Sequence, residues 1–118
     1  MIKVIIVDDD EDSLQLMSQF LNLKGVDVIG EARDGKTAVD LYKELKPDII
    51  ITDMKMPEYD GKYVVNEVIN FDPDAKIIVV TAYQEYNFDR KKVFSTLIKP
   101  YNVEELLLKI RQIEDLLI

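Results

Sequence analysis

The chain contains no cysteine, which excludes disulfides and thiolate metal sites. Histidine is also absent, so the commonest general base is missing and no phosphohistidine can form within the chain. No apolar run reaches the length of a membrane span, and the basic, apolar and small-residue order of an export signal is missing. The cytosol is therefore the expected location. Positive charge is in short supply: 15 Lys and Arg stand against 23 Asp and Glu, a net charge of −8. A surface of that sign repels a phosphate backbone, which argues against nucleic-acid binding.

What is present fits one globular domain spanning 1–118. The 118 residues are 47% hydrophobic and 32% charged, enough for one self-sufficient core and too few for two. Lys3-Val4-Ile5-Ile6-Val7 is a β-branched run that stops at Asp8-Asp9-Asp10. Apolar residues then recur at helical spacing, Leu14, Met17, Phe20 and Leu21, up to Gly25. Val26 to Ala32 reads as a second strand. Ala38, Leu41, Tyr42 and Leu45 mark a helix ended by Pro47. A third strand, Asp48 to Thr52, has the flat hydrophobicity of a parallel strand covered on both faces. A helix carrying Val64, Val65, Val68 and Ile69 follows, then a strand from Lys76 to Val80. Tyr83 to Lys92 is polar and predicts only a short helix. Phe94 to Ile98 reads as a fifth strand, and a last helix starts near Val103, with Leu106, Leu107, Ile110, Ile113 and Leu117 on one side.

This alternation predicts a doubly wound five-stranded parallel sheet with right-handed crossovers and helices on both faces. In such sheets ligands bind beyond the carboxyl ends of the strands. That edge collects Asp8 and Asp9 from strand one, Asp53 from strand three, Thr81 from strand four and Lys99 from strand five. Converging carboxylates repel, so the arrangement calls for protonation or a cation. A hard divalent ion with oxygen ligands, magnesium above all, is the simpler answer. With an ammonium and a hydroxyl beside it, the site suits a phosphoryl group, with one carboxylate as nucleophile.

Val7-Asp8-Asp9, Asp53-Met54-Lys55-Met56-Pro57 with Asp60-Gly61, Thr81-Ala82 and Lys99-Pro100 together resemble the response-regulator receiver domain of two-component signalling, over nearly the whole chain. The resemblance implies a flavodoxin-like strand order 2-1-3-4-5 and a stand-alone receiver with no output domain. It implies Asp53 as phosphoacceptor, and Mg2+ (or Mn2+) held by Asp8, Asp9, Asp53 and the Lys55 carbonyl. Thr81, Lys99 and the N–H groups of Met54 and Ala82 would contact the phosphoryl oxygens. The implied partners are a sensor histidine kinase or histidine phosphotransfer protein and a downstream protein target, with no nucleic acid and no membrane. Lys55 and Tyr83 stand where receivers tune acyl-phosphate lifetime. Thr81 and Thr96 occupy the switch positions.

Thr96 itself departs from the family, which carries an aromatic residue there. Receivers also spend about four more residues, roughly one helical turn, between the threonine and the lysine. The helix between strands four and five is therefore expected to be short or irregular. A thinner cover at that sheet edge would allow a dimer.

Other readings exist for the same residues. Asp10, Glu11 and Asp12 read as an N-cap and first-turn acids of the first helix. Asp60-Gly61 reads as a turn in which Gly61 supplies a positive φ. Asp8-Asp9-Asp10 contains the Asp-x-Asp of haloacid-dehalogenase-like phosphatases, an enzyme alternative. A scaffold-type receiver that is never phosphorylated is the other.

Overall fold

The computed structural model describes residues 1–82 and 90–117. Five strands, β1 (Lys3–Val7), β2 (Asp27–Ala32), β3 (Ile49–Asp53), β4 (Ile77–Thr81) and β5 (Ser95–Ile98), form one parallel sheet in the order β2-β1-β3-β4-β5. Among the described residues four α-helices alternate with them: α1 (Glu11–Leu23), α2 (Gly35–Leu45), α3 (Gly61–Phe71) and α4 (Val103–Leu116). A 3-10 turn covers Arg90–Lys92. The expected short helix from Tyr83 otherwise lies outside the described residues.

Side chains alternate between the two faces of a strand, and this sorts the core into two layers. Val4, Ile6, Ile49, Ile51, Ile78, Val80 and Leu97 pack with Leu14 and Leu21 of α1 and with Leu106, Ile110 and Ile113 of α4. Ile5, Val7, Ile50, Ile77 and Val79 face Ala38, Val39 and Tyr42 of α2 and Val64, Val65 and Val68 of α3. The central strands are buried on both faces, which is why they read as unbroken apolar runs. Leu117, expected on the buried side of the last helix, lies beyond it and is exposed. It follows the C-terminal turn, where the helical stripe no longer meets the sheet.

Local chemistry fixes the ends of the elements. The side chains of Asp10, Asp34, Asp60 and Asn102 accept backbone N–H groups at the starts of α1, α2, α3 and α4. Gly25, at φ 80°, reverses the chain after α1. Lys46, at φ 47°, does the same after α2, just before Pro47. The Tyr42 hydroxyl donates to the Asp72 carboxylate at 2.8 Å, joining α2 to the end of α3. Burial and this carboxylate push the Tyr42 phenol well above its ordinary value.

Gly61 corrects an expectation. It is the first residue of α3 and is not among the residues with positive φ. Its requirement is space: a Cβ there would sit 2.6 Å from both the Asp53 carbonyl oxygen and the Met54 Cα. The strand that carries Asp53 and the helix that follows approach too closely for any side chain.

The Asp34 cap supplies a test of the α2 start. The Thr37 N–H holds the Asp34 carboxyl below its ordinary 3.8 against the opposing effect of burial, and the Thr37 hydroxyl adds a lesser lowering. Asp34→Ala is expected to cost about 1 kcal/mol, read as a lower urea midpoint. A depressed folded-state pKa gives stability that is present above the unfolded value and lost as pH falls through the folded one. Wild type and variant should therefore converge in stability at the acid end.

Candidate functional site

The carboxyl ends of β1, β3, β4 and β5 meet at one edge of the sheet. The turn after β1 separates its three acids. The Asp8 N–H continues the ladder to the Ala32 carbonyl at 3.1 Å, and Asp8 Oδ1 accepts the Asp10 N–H at 2.9 Å. Asp10 is taken up by α1, accepting the Ser13 hydroxyl at 2.6 Å and the Ser13 N–H at 3.3 Å. It stands apart from the carboxylates that converge, so the second acid of Asp8-x-Asp10 serves as a cap, as its N-cap reading expected. Asp9 is exposed and borders the cleft.

Asp53 is the last residue of β3, its side chain only 11% exposed. Oδ1 accepts the Met54 N–H at 2.9 Å, and Oδ2 accepts the Lys99 ammonium at 3.1 Å. The Met54 N–H also reaches the Val80 carbonyl at 3.1 Å, and the Met54 carbonyl accepts the Gly61 N–H at 2.8 Å. Lys99 follows β5 and is registered by its own N–H, which donates to the Thr81 carbonyl at 2.8 Å. Thr81 ends β4 and is buried.

Carboxylate oxygens of Asp8, Asp9 and Asp53 lie within 4.8 Å of one another. Like charges ~5 Å apart repel by about 3 kcal/mol at an effective dielectric near 20, and by less where water screens them. The Lys99 ammonium offsets one of the three charges. Burial chiefly raises the Asp8 pKa, and the Asp53 and Asp9 charges add to it, while the Asp10 N–H and Lys99 work the other way. An all-oxygen donor set with surplus negative charge fits a hard divalent ion such as Mg2+.

The cleft beside these carboxylates, of about 500 Å3, is lined by Asp9, Asp53, Lys55, Pro57, Ala82 and Lys99, with buried Met56 at its wall. Lys55 and Ala82 are exposed at this edge. The sequence-predicted Asp8, Asp9, Asp53, Lys55, Ala82 and Lys99 are thus gathered together, with Met54 and Thr81 directly behind them. Met54 is fully buried, and what it offers the site is its N–H. Thr96 sits within β5, half-buried and paired with Val79, away from the cleft lining. Tyr83 lies outside the described residues.

Three features went unread in the sequence. Glu58 takes a left-handed conformation, φ 63°, directly after Pro57. The Gly35 N–H donates to the Tyr59 carbonyl at 2.9 Å, and a Cβ on Gly35 would collide with that same carbonyl. Tyr101, two residues after Lys99, packs beneath the acids. Its place after Lys99-Pro100 was the available signal for the last of these.

A 2-1-3-4-5 sheet with an acid trio and a lysine at its carboxyl edge defines a flavodoxin-like α/β domain with a polar site at that edge. Residues 4–111 match the response regulator receiver domain, and the chain belongs to that family, the receivers of two-component systems. It is 44% identical over 80 residues to the chemotaxis protein CheY of Thermotoga maritima, covering 68% of this chain and 67% of that protein. Among solved structures it resembles the response regulator TrrA of Thermotoga maritima in complex with Mg2+-BeF. That match has 29% identity and a TM-score of 0.87, covering 96% of this chain and 99% of the other. It likewise resembles a chain of the CheX-CheY-BeF3-Mg2+ complex of Borrelia burgdorferi, at 25% identity and a TM-score of 0.87, covering 95% and 88%.

The contact of Gly61 with the Asp53–Met54 peptide is testable. Gly61→Ala is expected to lower stability by roughly 1–3 kcal/mol, the range for overpacking. In an amide NMR spectrum the Met54 resonance should be among the most shifted. Wild-type stability with an unmoved Met54 signal would contradict the contact.

Proposed function

We propose that Asp53 accepts a phosphoryl group from a phosphohistidine on a sensor kinase or phosphotransfer protein, and that the phosphorylated chain presents an altered surface to a downstream protein. An Asp53 carboxylate oxygen attacks phosphorus while the P–N bond of the donor breaks, its electron pair leaving on the donor imidazole. The product is an acyl phosphate on Asp53. Lys99, now paired with the carboxylate, turns to a phosphoryl oxygen. The Thr81 hydroxyl and the N–H groups of Met54 and Ala82 take the others. Asp8, Asp9, Asp53 and the Lys55 carbonyl are the groups that would hold Mg2+ or Mn2+. When bound, that ion supplies positive charge against the phosphoryl oxygens and the clustered carboxylates. The chain acts on itself and not on an outside substrate, in the cytosol where two-component relays meet their kinases.

The observation that carries this reading is the gathering of Asp8, Asp9 and Asp53 oxygens within 4.8 Å, with the Lys99 ammonium 3.1 Å from Asp53. An added phosphoryl group brings about −1.5 to −2 charges, enough to draw Lys99 and Thr81 inward and bias a two-state surface.

Incubation with acetyl phosphate and Mg2+, followed by intact-mass measurement, tests it. Wild type is expected to gain one phosphoryl group and Asp53→Ala none. Lys99→Ala should slow the gain roughly 10²-fold, the scale for losing a preorganised donor. No adduct on wild type would indicate a scaffold-type receiver. An adduct that disappears in Asp8→Asn and persists in Asp53→Asn would favour the dehalogenase-like chemistry.

Lys55 borders the cleft, where its long side chain would obstruct an attacking water, and Tyr83 holds the second lifetime-tuning position by its place two residues after Thr81 in the sequence. The acyl phosphate should therefore outlast those of fast chemotaxis regulators, and Lys55→Ala should shorten it. Release from wild type within seconds, followed with labelled phosphate, would overturn this.

A further inference from the structure

On the α1 and α4 side of the sheet, directly beneath the acids, lies a small cavity of about 20 Å3. Its floor is apolar, formed by side chains of β1, β3, β4 and α1. Its polar boundary is Asp8, Asp53, Lys99, Ser13 and Tyr101. One water needs about 10–15 Å3 of such space and two to four polar partners, so the cavity suits a single water and little else. Tyr101 comes from the loop between β5 and α4, with its ring packed against the α1/α4 core layer.

We infer that Tyr101 is a positioning residue for the cation and phosphoryl site: through one water in this cavity its hydroxyl links the Lys99 loop to the Asp8 carboxylate. This rests on the reading that Asp8, Asp9 and Asp53 hold a divalent ion. Asp8 has one oxygen fixed by the Asp10 N–H at 2.9 Å. A donor from below would fix the carboxylate plane and aim its remaining lone pairs upward, toward Asp9 and Asp53. Water-mediated bonds of this kind come close to direct ones in enthalpy. Groups that orient metal-binding carboxylates from behind contribute to affinity without touching the ion. Tyr101 shares the lining of this cavity with Asp8, Asp53 and Lys99. A phenylalanine would fill the same packing space, so the hydroxyl is the part that the packing leaves unexplained.

The test is Mg2+ titration of the unphosphorylated protein by calorimetry, comparing wild type with Tyr101→Phe. The expected result is a roughly tenfold weaker affinity in the variant, the low end for groups that orient a metal ligand. The melting temperature without Mg2+ should fall by less than about 3 °C. Equal Mg2+ affinity in the two proteins would overturn the inference. So would weaker affinity accompanied by a larger loss of melting temperature, which marks Tyr101 as a packing residue. Absence of Mg2+ binding by wild type would remove its basis. Acetyl phosphate labelling, run alongside, separates this from the functional reading. If wild type binds Mg2+, Tyr101→Phe weakens that binding and neither protein gains a phosphoryl group, phosphorylation fails while the positioning role stands.

Discussion

A charged carboxylate at the tip of a strand covered on both faces persists only if its surroundings answer the charge. For Asp53 the answer comes from three directions: the Met54 N–H, the Lys99 ammonium, and open access to the cleft. Each depends on a different part of the fold. The N–H is set by the turn out of β3. The ammonium is delivered by β5, whose register against β4 is continued by the Lys99 N–H to the Thr81 carbonyl. The opening exists because helices cover the faces of a parallel sheet and leave its carboxyl edge to loops. Had Lys99 been carried on a mobile segment, Asp53 would have kept the desolvation cost without the compensation.

The two core layers make this arrangement rigid. β1, β3 and β4 run through the middle of the sheet with residues locked above and below by α1, α4, α2 and α3. Three of the site's acids and its threonine are therefore appended to the least yielding part of the molecule. Lys99 and Tyr101 come from the edge strand and its exit loop. The acids thus stand on the fixed middle of the sheet and the lysine at its edge strand.

Most of this was legible in the sequence because it depends on period and position. Alternation of apolar runs with helical spacing gave the doubly wound sheet. The acids, threonine and lysine fell at strand ends, so the topology alone brought them together. What could not be read depends on close approach in three dimensions. Gly61 was expected to supply an unusual dihedral, because glycine next to Asp60 has that local signature. Its actual constraint is the distance to the Asp53 carbonyl and Met54 Cα, a tertiary quantity. Gly35 is similar, its neighbour Tyr59 being remote in sequence. Strand limits shifted by a residue, which placed Asp53 and Thr81 inside their strands rather than just past them. Ladder pairing with neighbours extends those strands beyond what hydrophobicity indicates.

Residues 54–60 run between two helix beginnings that admit no side chain, Gly35 of α2 and Gly61 of α3, each pressed against loop backbone. Both approaches are backbone against backbone, so a bulkier residue at either glycine would have to displace the loop itself rather than a neighbouring side chain.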